Sequence, residues 1–166
     1  MGKIYVYTGL GGGKTTNALG LALRSLGHNQ RVVIYQFLKW WKNTGEMQFK
    51  HPNYRIRQFG RKGWHGFDNL TEADKRLTEQ GVAYALIEMM NEPDLLILDE
   101  LALALHLKLV PMAAIKGFFE KCPPKTTIVI TGRHASQELM DLADFVIEIK
   151  QLKKPKKDIS KEGIQY

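Results

Sequence analysis

The sequence predicts an α/β fold with a mostly parallel central sheet flanked by helices. Three observations carry that expectation. Short apolar runs alternate with helix-length segments along all 166 residues. A glycine-rich loop ending in Lys-Thr-Thr follows the first apolar run and opens the first helical one. A continuous apolar run, 95–98, ends in Asp99-Glu100. Together they predict one P-loop (RecA-like) domain over 1–166, with a basic C-terminal tail from about 150.

The first strand is Ile4-Tyr5-Val6-Tyr7. Behind it come Thr8-Gly9-Leu10-Gly11-Gly12-Gly13-Lys14-Thr15-Thr16 and the helical run from Asn17. Glycines let a backbone curl so that several N–H groups point at one anion. The helix that follows adds unpaired N–H groups and the positive end of its dipole. Lys14 is then expected to reach phosphate oxygens and the Thr15 hydroxyl to hold Mg²⁺. The usual pattern carries a glycine four residues before Gly-Lys-Ser/Thr. Thr8 takes that position here, and Gly9 comes one residue late. The offset suggests a nucleotide seated in an unusual way.

The first helix is expected over 15–26, with Gly27 as its C-terminal stop. Residues 31–37 read as the second strand, and the alternating 54–59 as a shorter one, at an edge. Two long irregular stretches, 38–52 and 60–69, carry Trp40, Trp41, Trp64 and Phe67. These aromatics suit core packing and a ligand platform equally. Thr71-Glu72-Ala73-Asp74 resembles a capping box and starts a helix to about Asn91, with Pro93 as a stop. The strand 95–98 has the unbroken apolar character of a buried parallel strand. An apolar, partly helical segment, 101–110, follows, and then a helix over 111–122 with Pro111 near its start. Residues 126–131 form a strand that ends in Gly132-Arg133-His134. Ser136 can cap a helix to Leu142, and 145–149 is the last strand. The lysines of the tail (153, 154, 156, 157 and 161) read as a solvated run or as a flap over an anion.

Composition narrows the function classes. The 44% apolar content can fill a sizeable core. The lone Cys122 leaves no disulfide framework and no cysteine zinc site, which fits a reducing cytoplasm. No run is long enough to span a membrane, and no signal-peptide pattern opens the chain. The net charge of +7 favours anionic partners. The histidines at 28, 51, 65, 106 and 134 have no metal-ligand spacing. A carboxylate ending a strand beside a phosphate loop can hold Mg²⁺ or its water, which nominates Asp99 and Glu100. Arg133 follows a strand end on the same side of the sheet and can contact phosphates. The absence of Asn-Lys-x-Asp argues for adenine, or promiscuous, binding over guanine selectivity.

These motifs, taken in order, resemble the ATP:corrinoid adenosyltransferases of the CobA/BtuR type. The loop 8–16 is similar to their Thr-Gly-Asn-Gly-Lys-Gly-Lys-Thr-Thr, off-pattern start included. Ala18-Leu19-Gly20-Leu21-Ala22, Gly27-His28, Gln36-Phe37-Leu38-Lys39 and Gly45-Glu46 follow in family order. So do Leu98-Asp99-Glu100-Leu101, Thr131-Gly132-Arg133, Asp141-Leu142-Ala143-Asp144 and the ending Lys161-Glu162-Gly163-Ile164-Gln165-Tyr166. Leu10 and Gly12 stand where the family has Asn and Lys, Trp40 where glycine is usual, and Lys154 where His is frequent. The sequence shows no counterpart of the N-terminal extension of some members, and the resemblance then implies a corrinoid pocket with one wall open or supplied by a partner subunit.

The resemblance implies transfer of the 5′-deoxyadenosyl group of ATP to the Co(I) centre of a reduced corrinoid, cobalamin or a precursor such as cobyrinic acid a,c-diamide, with release of triphosphate. It implies ATP lying reversed in the loop, so that C5′ faces the acceptor. The implied cofactor-binding set is Thr8, Gly9, Gly11, Gly12, Gly13, Lys14, Thr15, Thr16, Gln36, Lys39, Glu46 and Arg133. Thr15 and Glu100 would hold Mg²⁺ directly or through water, with Asp99 in support. The implied catalytic set is Lys14 and Glu100, with Trp64 and Phe67, by position, as the aromatics that help cobalt shed its lower axial ligand. A homodimer and a reducing protein such as a flavodoxin complete the implied partners, with no membrane. Two other readings stay open from the residues themselves. One is a P-loop ATPase or small-molecule kinase with Glu100 as base, which would release orthophosphate or phosphorylate an acceptor. The other is a nucleic-acid module built on the tail and aromatics, ranked last because +7 is modest.

Overall fold

The computed structural model describes residues 2–63, 66–156 and 160–164. The loop 60–69 is therefore described only in part, and Trp64 lies outside the described residues.

Six parallel strands form one sheet in the order β3-β2-β4-β5-β1-β6. They are β1 (Ile4–Thr8), β2 (Val32–Phe37), β3 (Tyr54–Phe59), β4 (Leu95–Asp99), β5 (Thr127–Thr131) and β6 (Phe145–Glu148). The all-parallel pairing bears out the expected α/β architecture. Burial explains the strand order. β2 and β4 are buried at every residue, and β5 at all but its first, as sheet centres covered on both faces must be. β3 alternates, which suits the edge position expected for it. β6 holds the other edge and is largely exposed.

Two layers sandwich the sheet. α1 (Lys14–Gly27) covers one face with Ala18, Ala22 and Leu26 against Val32, Ile34, Leu95, Ile97 and Val129. The other face carries α3 (Glu72–Met90), α4 (Leu101–His106), α5 (Met112–Glu120) and α6 (Gln137–Asp141) over Val33, Phe37, Leu96, Leu98, Ile128 and Ile130. A short helix, α2 (Gly45–Gln48), and a 3₁₀ turn at Phe67–Asn69 lie inside stretches expected to be irregular.

Gly27 does not stop α1. It is the last helical residue, His28 follows as the cap, and the left-handed residue is Asn29 at φ 57°. Asparagine takes that conformation at low cost because its short amide bonds locally. α5 starts as expected, with Pro111 at its cap, but ends two residues early at Glu120. At the head of α3, the Asp74 carboxylate accepts from the Thr71 N–H (2.8 Å) and hydroxyl (2.9 Å), so the capping element is real. Ser136 accepts from the Leu139 N–H at 3.2 Å, as a cap of α6 should.

Candidate active site

The C-terminal ends of the parallel strands share one side of the sheet, where α/β folds build their sites. A cleft of ≈ 1100 Å³ opens there. Residues 11–16 of the glycine loop line it, with Lys39, Trp41, Glu46, Glu100 and Arg133, and with Lys150, Gln151, Ser160, Gly163 and Ile164 of the tail.

The loop turns into α1 through Gly13, whose φ of 102° only glycine adopts freely. Among the described residues no side chain caps α1, whose first turn borders the cleft. The Lys14 ammonium, 6% exposed as a residue, bends back to the loop carbonyls of Gly9 (2.8 Å) and Gly11 (2.5 Å). Burial pulls its pKa below the usual lysine value, and Arg133 adds to that against the attraction of Glu100 and Asp99.

Asp99 is the hub. Its carboxylate is fully buried and accepts four bonds. Thr15 Oγ1 (2.9 Å) and Thr131 Oγ1 (2.6 Å) donate to Oδ1. Gln36 Nε2 (3.1 Å) and Lys39 Nζ (2.7 Å) donate to Oδ2. The Lys39 ammonium also donates to Thr15 Oγ1 at 3.1 Å. Burial works against that ammonium, but Asp99, then Glu100 and Glu46, outweigh it and raise the Lys39 pKa, so it stays charged. Gln36 ties in Glu46 (3.1 Å) and accepts from Gln58 (2.9 Å), which carries the network out to β3.

Glu100 follows in a left-handed conformation at φ 63°, which costs about 1–2 kcal/mol for a residue with a Cβ. Its N–H donates to Thr131 Oγ1 at 3.0 Å, which holds the turn. Its Oε2 is buried with no partner among the described residues. Burial, then the Asp99 charge, push its pKa above the usual carboxylate value against Lys39, Lys14 and Arg133. A partnerless buried carboxylate oxygen in a cleft with a threonine hydroxyl suits a hard cation such as Mg²⁺. Among the described residues no three His, Cys, Asp or Glu side chains converge as a metal site. Such an ion would therefore draw oxygens from a bound anion as well.

The structure thus gathers Gly11, Gly12, Gly13, Lys14, Thr15, Thr16, Lys39, Glu46, Asp99, Glu100 and Arg133 around one cleft. It does not bring every expected residue to its wall. Thr8 lies beneath the loop, its hydroxyl taken by the Ala135 N–H at 3.2 Å. Gly9 contributes a carbonyl to Lys14. Gln36 is buried behind Glu46 and Asp99. Phe67 sits in its 3₁₀ turn, 44% exposed, and is not part of the cleft wall. Thr131 was not singled out in the sequence as a site residue. Its signal is faint: a hydroxyl at the last position of a strand that also begins with one, Thr127.

Comparison with known proteins gives this arrangement a family. The family model for "ATP:corrinoid adenosyltransferase BtuR/CobO/CobP" matches residues 1–166. The chain belongs to the ATP:corrinoid adenosyltransferase family. The corrinoid adenosyltransferase of Escherichia coli K12 is 30% identical over 153 residues, which cover 92% of this chain and 78% of that one. Corrinoid adenosyltransferase CobA of Salmonella typhimurium LT2 is 32% identical over 154 residues, with the same coverage. The corrinoid adenosyltransferase of Pseudomonas aeruginosa is 30% identical over 159 residues, covering 92% and 76%. Among solved structures, the genome-packaging NTPase B204 of Sulfolobus turreted icosahedral virus 2 superposes with a TM-score of 0.50 at 12% identity. The match covers 91% of this chain and 76% of that one, and it supports the P-loop fold alone.

Proposed function

We propose that this adenosyltransferase-family chain transfers the 5′-deoxyadenosyl group of ATP to the Co(I) centre of a reduced corrinoid and releases triphosphate. The observation that carries the reading is the Thr15–Asp99–Lys39 cluster, built on a buried carboxylate beside a glycine loop, in a chain that matches its family model from end to end. The loop N–H groups and the start of α1 receive the triphosphate. Lys14 leaves the Gly9 and Gly11 carbonyls for a phosphate oxygen, and Arg133 approaches from the tip of β5. Neutralising that charge makes triphosphate a better leaving group at C5′. Thr15 and Glu100 hold Mg²⁺ directly or through water, and Asp99 orients the Thr15 hydroxyl. When bound, the ion adds positive charge to the leaving oxygens. Glu46 and Trp41 also line the cleft, and they are our candidates to border the nucleoside and corrinoid.

The corrinoid acceptor is cobalamin or a biosynthetic precursor. Trp64 and Phe67 remain our candidates for easing cobalt reduction, on family position. We take the working unit to be a homodimer in the cytoplasm. Beside α1, Tyr5, Ile147 and the stacked Phe145 at the β1–β6 end of that face are only partly covered by the described residues, which supports a second subunit there. The net charge of +7 suits an acidic reducing protein such as a flavodoxin.

The test is incubation with ATP, Mg²⁺ and chemically reduced cob(I)alamin, followed by visible spectroscopy and a triphosphate assay. We expect a light-sensitive adenosylated corrinoid with one triphosphate per turnover, and at least about a hundredfold loss in Lys14→Ala. Orthophosphate without adenosylation would overturn the reading in favour of an ATPase or kinase.

A further inference from the structure

Thr15 Oγ1 gives its proton to Asp99, so its lone pairs face away from that carboxylate. The group they meet is the Lys39 ammonium, 3.1 Å from the hydroxyl and 2.7 Å from Asp99 Oδ2. A divalent ion bound by the loop threonine would need this same corner, between the hydroxyl and the acidic residues that end β4. The corner already holds one positive charge.

The backbone is built to put it there. Leu38 sits at φ 59°, a left-handed conformation that a branched side chain disfavours, and turns the chain at the end of β2. Gly60 backs that turn. A Cβ there would come within 2.5 Å of the Lys39 N and 2.6 Å of the Leu38 carbonyl carbon. Lys39 is mostly buried, with a side-chain exposure of 19%. It is therefore a fixed cation and not a surface lysine that happens to reach inward.

We propose that Lys39 is a resident cation in the divalent-ion seat: it keeps free metal out, and it yields when the metal arrives with a triphosphate whose oxygens can accept the displaced ammonium. The inference rests on the metal–triphosphate reading of the cleft given above. It makes metal binding depend on nucleotide, although the protein ligands are already assembled. It also gives Lys39 two positions, on Asp99 before binding and on phosphate oxygen after.

The experiment is an electron paramagnetic resonance titration of Mn²⁺ into the full chain, with and without inorganic tripolyphosphate. Wild type is expected to bind Mn²⁺ weakly alone and at least about tenfold more tightly with tripolyphosphate. Lys39→Met should bind Mn²⁺ alone at least about tenfold more tightly than wild type and gain less from tripolyphosphate. Lys39→Arg keeps the charge and should behave as wild type without tripolyphosphate, a check that does not depend on tolerance of the methionine. Lys150→Ala removes a cleft lysine that pairs with Glu148 at 3.1 Å, and should leave metal affinity within about twofold. Lys39→Met binding no tighter than wild type, or Lys150→Ala matching its gain, overturns the proposal and leaves the cleft reading intact. Failure of wild type to bind Mn²⁺ even with tripolyphosphate overturns the cleft reading itself.

Discussion

At the scale of single residues, the site depends on one carboxylate whose four acceptor positions are all in use. Asp99 takes donors from α1, β2, the turn after β2 and β5, so it ties together four separate parts of the chain. A buried carboxylate with that many donors is held in one geometry, and each donor lost leaves charge uncompensated. Thr131 has the largest leverage, because its one hydroxyl donates to Asp99 and accepts from the Glu100 N–H. Thr131→Val keeps the shape and removes both bonds. Urea unfolding should show a loss of about 1–3 kcal/mol, the cost of stranding a buried N–H and weakening a charged acceptor. Thr131→Ser should recover most of it. A valine variant as stable as wild type would mean that water replaces the hydroxyl at both contacts.

At the scale of elements, the loops are held by specific chain crossings. The glycines of the phosphate loop serve two purposes. Gly13 provides the left-handed turn into α1, and a Cβ there would meet nothing within 4 Å. A Cβ on Gly11 would come within 2.7 Å of the Ile149 carbonyl oxygen and 2.8 Å of the Gln151 N. Gly11 is thus small because the root of the tail passes behind the loop, where its N–H donates to Ile149 O at 2.9 Å. The second crossing is at α3, where Arg61 pairs with Asp74 at 3.1 Å and joins the partly described loop to the capped helix. Burial works against the Asp74 charge, but bonds from Arg61 and Thr71 outweigh it and hold the pKa below the usual value. A depressed carboxylate stabilises the fold above its unfolded pKa of about 3.9 and loses that contribution as pH falls through the folded value. Asp74→Asn should therefore cost about 1–3 kcal/mol in urea unfolding at neutral pH, with the gap to wild type closing as the pH falls below the unfolded carboxylate value and through the depressed folded one. A gap unchanged by pH would assign the effect to capping geometry and not to charge.

At the scale of the molecule, the tail is a wall of the site more than a part of the core. Residues 150–156 and 160–164 are exposed, yet Lys150, Gln151, Ser160, Gly163 and Ile164 border the cleft. A chain ending after Leu152 keeps the Ile149 and Gln151 contacts with the loop. Its Tm should stay within about 2 °C of wild type, as expected when little buried surface is lost. Its affinity for tripolyphosphate should fall by about five- to thirtyfold, the effect of one or two kcal/mol. Calorimetry checks both. A Tm loss beyond about 4 °C would make the tail a structural element instead.

The sequence by itself determined the six strands, the longer helices to within a residue or two, and the phosphate loop. Those follow from local rules: unbroken apolar runs for β2, β4 and β5, alternation for β3, and a glycine turn before Lys14. It also determined Lys14, Thr15, Asp99 and Glu100 as a set, because strand ends on one side of a parallel sheet must meet. Only the tertiary structure decided how they are wired. The short α2, the left-handed Leu38 and Glu100, and the asparagine that replaces Gly27 as the helix stop are local conformations imposed by what packs against them. The role of Thr131 depends on β5 lying between β1 and β4, and that strand order is a long-range choice. The turn that carries Lys39 packs its backbone against Gly60, twenty-one residues on, which is adjacent to it only after β2 and β3 pair. Hydrogen bonds between distant segments leave no period in a sequence, so the loop and the strand-end carboxylates were legible, and Thr131 and the connections among them were not.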